Sequence, residues 1–220
     1  MGNSRKFNWR IFAKIIIWLI VLLLIILIGI WLWLQHREKR LIEERTQVLC
    51  DTTCLRSGDL MFRNGLGPES FAVTTASNSD YSHVGIAYHM PSGWHVIHAV
   101  PGEAAAGEPE YLKCEPIAEF YDPTRAMAGA TARINCSDAT ALNAAKAALK
   151  KVEQKVVFDN SYDHSDTTQI YCSELVWMAY KTQGIDLSQQ HKDASTLYPE
   201  MMWTAPQVQS RKKFETSNNK

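Results

Sequence analysis

Gln169-Ile170-Tyr171-Cys172-Ser173-Glu174-Leu175-Val176-Trp177-Met178-Ala179-Tyr180 is the stretch on which the reading of this chain turns. It reads as the opening of a helix that closes at Gly184, with Cys172 in its first turn. Backbone N–H groups without intrahelical partners give that turn a partial positive charge, which favours a thiolate. A thiolate is a nucleophile, and it works when a base and a group that orients the base stand beside it. Taken alone, a free cysteine is as readily a small buried hydrophobe. The rest of the chain decides between the two.

Two histidines lie upstream. His83-Val84-Gly85-Ile86-Ala87-Tyr88 reads as a strand, Pro91-Ser92-Gly93 as a turn, and Trp94-His95-Val96-Ile97-His98-Ala99-Val100 as a second strand, so the pair forms a hairpin. Alternation puts His98 on the face of Val96 and Val100, and His95 on the opposite face. From the adjacent strand, His98 can hydrogen-bond one ring nitrogen of His83 and leave the other for the sulfur. The competing reading makes each a satisfied core histidine. Cys172, His83 and His98 are also chemically competent zinc ligands.

The segments around this hairpin give an α+β pattern. Ser57-Gly58 is a turn leading into the short strand Asp59–Arg63, and Ala130–Ile134 reads as a further strand. Ser137 or Asp138 caps an alanine-rich helix over Ala139–Glu153, with Leu142, Ala145 and Leu149 on one face. Glu69–Asp80 is polar and rich in small residues and reads as a loop, as does Gly102–Glu110. Glu69–Asp80 and Gly102–Glu119 are the expected walls of a cleft. Phe158–Gln169, with Asp159, Asp163 and Asp166, leads into the Cys172 helix, and the chain from Gln207 is polar and expected to fray. No internal repeat is present.

The 220 residues carry 23 basic and 23 acidic side chains, formal net charge +0. No basic face is needed to explain that balance, which excludes nucleic acid as an expected partner. Ile15–Leu34 is an almost unbroken apolar run of membrane-spanning length. The charged Gln35–Arg40 follows it, with no small-x-small cleavage pattern, so the run reads as an uncleaved anchor rather than a signal peptide. No lipoprotein cysteine ends it, and Lys6 stands where a myristoylation motif needs Ser or Thr. Basic residues flank both ends equally: Arg5, Lys6, Arg10 and Lys14 against Arg37, Lys39, Arg40 and Arg45. The short tail is therefore assigned to the cytoplasm, and the long domain to the far side, on length and on its lack of acidic residues. The expected organisation is a basic tail (1–14), an anchor (15–34), a charged helical stalk (35–50), a folded α+β domain (51–206) and a flexible tail (207–220). Cys50, Cys54, Cys114 and Cys136 allow three disulfide pairings in an oxidising compartment, or four reduced thiols in a cytosolic one. Cys50-x-x-x-Cys54 has no second close pair to complete a structural zinc site.

The segments SGDLMF (57–62), SHVGIAY (82–88) and WHVIHA (94–99) resemble, in order, the Gly-Asp strand, the catalytic-histidine strand and the third-residue strand of the NlpC-type cell-wall cysteine peptidases. In that family the cysteine helix precedes these strands, whereas here YCSELVWMAY follows them. The swapped order is similar to the circularly permuted papain-like branch, in particular its YiiX-like group, and FDNSYD (158–163) before YCSELV adds to the match. The likeness covers roughly Leu55–Gly184. It implies a small antiparallel sheet packed on the nucleophile helix, Cys172 as nucleophile, His83 as base and His98 as third residue. Many permuted members carry an acid at the third position, so Glu103 and Asp80 are the alternatives to His98. The resemblance also implies an oxyanion held by the Cys172 amide, no metal and no cofactor. It further implies a cell-wall peptide or lipid substrate, and an inner-membrane protein with its domain in the periplasm. The lipid alternative, hydrolase or acyltransferase, comes from the likeness of the permuted branch to lecithin:retinol acyltransferase. The non-enzymatic alternative is a domain that binds muropeptide or lipid.

Overall fold

The structure, a computed structural model, describes residues 9–43, 46–105, 107–165, 168–191 and 194–218. The first half of the expected basic tail and Asp166 lie outside them. In chain order the elements are α1 (Trp9–Glu43), β1 (Thr46–Leu49), β2 (Leu60–Asn64), α2 (Pro68–Ser77), β3 (His83–Met90), β4 (Gly93–His98), β5 (Lys113–Pro116) and α3 (Ile117–Phe120). There follow β6 (Ala128–Ile134), α4 (Asp138–Glu153), β7 (Val157–Phe158), β8 (Gln169–Ile170), α5 (Cys172–Lys181), α6 (Pro199–Thr204), β9 (Val208–Lys213) and β10 (Glu215–Asn218). The chain divides into two compact units, 1–44 and 45–220.

The first unit is the 35-residue helix α1. Its stretch Ile16–Arg37 is long and apolar enough to cross a membrane, and none of that stretch is buried. A core helix of a soluble protein would hide such side chains. The expected stalk does not stay helical to residue 50, because Thr46–Leu49 forms β1 instead.

The second unit is built on a six-stranded antiparallel sheet in the order β5-β4-β3-β2-β6-β9. Its central strand β2 is buried from Leu60 to Arg63. One face of the sheet offers Leu60, Phe62, Val84, Ile86 and Ile97 to a core shared with Ala144 and Ala145 of α4 and Leu175 and Val176 of α5. The other offers Met61, Ala87 and Val96 to Phe120, Tyr121 and Phe214. Such period-2 alternation is what lets one strand serve two cores.

Helix α4 starts at Ser137, whose side chain accepts from the Thr140 N–H, and buries Ala141, Ala144, Ala145 and Ala148. Alanines on that stripe allow a close approach to the turn before β2. Gly58 there has φ +101°, and a Cβ on it would lie 2.4 Å from the Ala141 carbonyl oxygen, which only glycine avoids. The neighbouring Asp59 is 2 % exposed. It accepts from Arg133 Nε at 2.9 Å and Nη2 at 2.7 Å, and from the Arg56 amide at 3.0 Å. The Gly-Asp pair thus ties β2 to α4 and β6.

Two further expectations fail in the second unit. Pro68–Ser77 is a helix, although it buries no residue. The segment from Gln207 is not a frayed tail, since β9 is the edge strand beside β6 and β10 pairs with β1.

Candidate active site

Helix α5 begins at Cys172. Tyr171 precedes it in extended backbone; its amide donates to Glu174 Oε2 at 3.4 Å, and its hydroxyl accepts from the Leu197 amide at 2.9 Å. These contacts fix where the first turn starts, and therefore where the sulfur points. Cys172 is 8 % exposed. Burial pushes its thiol up from the ordinary value, against the lowering hydrogen bonds of the Ser173 side chain and of the Val84, Ser173 and Cys172 amides. The resting form is the thiol, because desolvation outweighs the first-turn amides that alone favour a thiolate. Such a site needs a base.

His83, the first residue of β3, lines the same cleft as Cys172. Cys172 Sγ lies 3.8 Å from Ser173 Oγ. His83 spends its Nε2 elsewhere, 2.9 Å from His98 Nδ1, with the two rings edge to face at 5.1 Å. The hairpin register Ile86↔Ile97 places the two histidines on neighbouring strands as the alternation predicts. Phe120 packs against both rings, and the Arg63 guanidinium lies over the Phe120 ring.

His98 is fully buried, and its Nε2 lies 3.0 Å from Glu115 Oε1. The contact has ion-pair distance without hydrogen-bond alignment, and among the described residues neither atom has a well-aligned hydrogen-bond partner. Glu115 Oε2 lies 3.1 Å from Arg125 Nη1, which also reaches Glu103 Oε2 at 3.3 Å. Glu103 in turn accepts from Arg63 Nη2 at 2.6 Å and Lys113 Nζ at 3.1 Å. Burial raises the Glu115 carboxyl, but His98, Arg125 and Lys113 overcome it and bring it down to about 2. Burial, with the charges of Arg63, His98 and Lys113, holds His83 well below the usual histidine range. His98 is also lowered, chiefly by burial, although Glu115 and Glu103 oppose the shift. Both rings are neutral at pH 7.

Of the alternatives for the third position, Asp80 is an exposed partner of Lys213, remote in role from the histidines. Glu103 belongs to the ion cluster with Arg63, Lys113 and Arg125. The carboxylate that meets His98 is Glu115, which the sequence reading missed. The signal lay in Lys113-Cys114-Glu115-Pro116: β5 pairs with β4 as Val96↔Glu115 and His98↔Lys113, putting Glu115 on the face of His98. Four residues inside what reads as a cleft loop are too few to show that alternation.

The cleft over Cys172 and His83 has a volume of about 490 Å³, with Arg63, Glu103, Arg125 and Tyr162 among its walls. Asp159, at the start of the loop before α5, accepts from the Ser161 and Asp163 amides at 2.7 and 2.8 Å. That cap shapes the turn that presents Tyr162, whose φ is +55°. All five cysteines are free thiols in the structure.

A buried cysteine opening a helix, a histidine heading the strand it packs on, and helix after strands in chain order are the features of a papain-like centre in permuted order. The profile of the permuted papain-like amidases, YaeF/YiiX, peptidase family C92, matches residues 54–219. The chain belongs to this family. Among solved structures it is similar to the metalloprotein YiiX from Escherichia coli O157:H7, with a TM-score of 0.57 and 19 % identity over 73 % of this chain and 97 % of that one. Comparison with curated proteins returned no match.

Proposed function

We propose that the chain is a membrane-anchored cysteine hydrolase that cleaves an amide bond of cell-wall peptides through a thioester. Cys172 is the nucleophile, His83 the base and His98 the residue that orients it. The observation that carries this reading is the buried Cys172 thiol in one cleft with a neutral His83 whose Nε2 is committed to His98. The contact with His98 commits His83 Nε2, which leaves Nδ1 as the nitrogen that takes the thiol proton. Sγ then attacks the carbonyl, the amine leaves with a proton from His83, and water deprotonated by His83 releases the acid. The oxyanion takes the Cys172 N–H, as a helix start provides.

The solved YiiX is called a metalloprotein, which raises the question of a cation at this centre. Among the described residues no group of three His, Cys, Asp or Glu is arranged to hold one. His83 Nε2 and His98 Nδ1 face one another at 2.9 Å, and His98 Nε2 faces Glu115. These three ring nitrogens face one another or a carboxylate, so a shared cation does not fit this arrangement.

A lipid substrate is the second reading, favoured by the exposed Leu66 in the cleft wall and by Phe71, 73 % exposed, on the helix that contributes Glu69, Ser70 and Val73 to that wall. The full chain in detergent, offered muropeptides and phospholipids separately with products read by mass spectrometry, separates the two. Hydrolysis of neither would remove both readings and leave a binding domain. Membrane attachment is tested by alkaline carbonate: the full chain stays in the pellet, and chain lacking residues 1–44 does not. Thiol labelling from either side of intact cells reports which side carries the domain.

A further inference from the structure

We propose that Glu115 is a positioning residue of the Cys172 centre, fixing the tautomer of His98 and, through it, that of His83. The proposal rests on the hydrolase reading and names a fourth member of the same site.

Glu115 is held between His98 on one oxygen and Arg125 on the other, so it is anionic and can only accept hydrogen bonds. His98 Nε2 lies 3.0 Å from that acceptor and has no hydrogen-bond partner elsewhere among the described residues, so it is the nitrogen that carries the proton. A neutral ring has one N–H, so His98 Nδ1 holds a lone pair. That lone pair faces His83 Nε2 at 2.9 Å. Two lone pairs cannot face each other across a hydrogen bond, so His83 Nε2 carries its ring proton. What is left on His83 is Nδ1, unprotonated, on the residue that shares the cleft with Cys172. Remove the charge at Glu115 and the chain of donors can reverse. An amide at 115 donates to His98 Nε2, His98 then donates from Nδ1 to His83 Nε2, and His83 ends with its proton on Nδ1, where it cannot act as base.

The charged groups around the relay come from every neighbouring element: Arg63 on β2, Glu103 after β4, Lys113 on β5 and Arg125 after α3. Arg125 reaches both Glu103 and Glu115, and Lys113 reaches Glu103. Arg125 and Lys113 keep Glu115 ionised, while Arg63 opposes a positive charge on either histidine. The relay is thus built to carry a fixed direction of hydrogen bonding between neutral rings, not to store a charge.

The full chain, labelled with ring-¹⁵N histidine in detergent micelles, tests this by two-bond ¹H–¹⁵N correlation at neutral pH. The expected result is that His83 and His98 are both Nε2-protonated, and that Glu115→Gln moves both protons to Nδ1. In parallel, alkylation of Cys172 by iodoacetamide, followed on its own peptide by mass spectrometry, slows about tenfold or more in Glu115→Gln, the effect of one pKa unit at the thiol. Glu115→Asp keeps the wild-type tautomers. A residue that merely supported the fold would not move a proton from one nitrogen to the other. Wild-type His98 protonated on Nδ1, or a Glu115→Gln protein with unchanged tautomers, overturns the proposal. If Glu115→Gln does not fold, the wild-type spectrum still decides. The tautomer readout needs no substrate, so the predicted tautomers in a chain that hydrolyses nothing would sink the hydrolase reading and leave the relay standing.

Discussion

Gly85 stands so close to His98 that residue 85 has no room for a side chain. A Cβ there would lie 3.0 Å from the His98 Cβ, 2.6 Å from Val96 Cγ1 and 2.8 Å from the Ile97 carbonyl oxygen. The glycine in His83-Val84-Gly85-Ile86 is thus what lets β3 and β4 bring two histidine rings together. Gly85→Ala forces backbone or ring to shift, an overpacking cost of about 1–3 kcal/mol. Urea unfolding should show that loss, and Cys172 alkylation should slow with it. An alanine variant as stable as wild type would mean that the strands have slack this geometry does not show.

Acid should destabilise the protein through the histidine pair. Both rings are lowered from the usual value of 6.5, His83 strongly. The unfolded chain therefore binds protons below pH 6.5 that the folded one refuses. The stabilising contribution is complete above pH 6.5 and declines as pH falls below it, at up to about 1.4 kcal/mol per pH unit for each histidine. Glu115, lowered from 4.5 to about 2, adds a second loss between those two values. Unfolding free energy measured from pH 8 to pH 4 should bend downward below 6.5, and His83→Gln should flatten that slope.

Asp59 is predicted to be the costliest polar position outside the site. Its carboxylate is buried against Arg133 and the Arg56 amide. Asp59→Ala leaves Arg133 without its carboxylate partner and the Arg56 amide without its acceptor, a loss of about 3 kcal/mol or more in denaturant melts. Leu60 follows it into the sheet centre, so a milder result would show that β2 holds its place without the clamp.

For chemistry, Cys172→Ala and His83→Ala should each abolish turnover, on the order of a thousandfold or more. His98→Ala should cost less, roughly ten- to a hundredfold, because His83 retains a base nitrogen but loses its orientation. Single-turnover rates on a hydrolysed peptide separate these, and an active Cys172→Ala would end the nucleophile assignment.

Where the sequence was informative, it was so for a physical reason. β2, β3, β4 and α5 are legible because each turns a dense apolar face to a core, and His83 and His98 fall out of the same alternation. Glu115 stayed hidden because its meaning depends on the β4–β5 register, a pairing no local pattern announces. Val208–Lys213 reads as a tail because an edge strand with one solvent face tolerates Gln, Ser, Arg and Lys; only its ladder to β6 makes it structure. Pro68–Ser77 escaped for the opposite reason. A helix that buries nothing leaves no apolar stripe to read.

That last helix carries a consequence of its own. Glu69, Ser70 and Val73 of α2 line the cleft, yet none of its ten residues is buried. Its amides are therefore held by little beyond the helix's own hydrogen bonds, and short isolated helices are marginal in water. In deuterated solvent they should exchange long before those of α5, whose first turn is locked in the core. This side of the cleft is then expected to open by local melting before the helix that carries the nucleophile does.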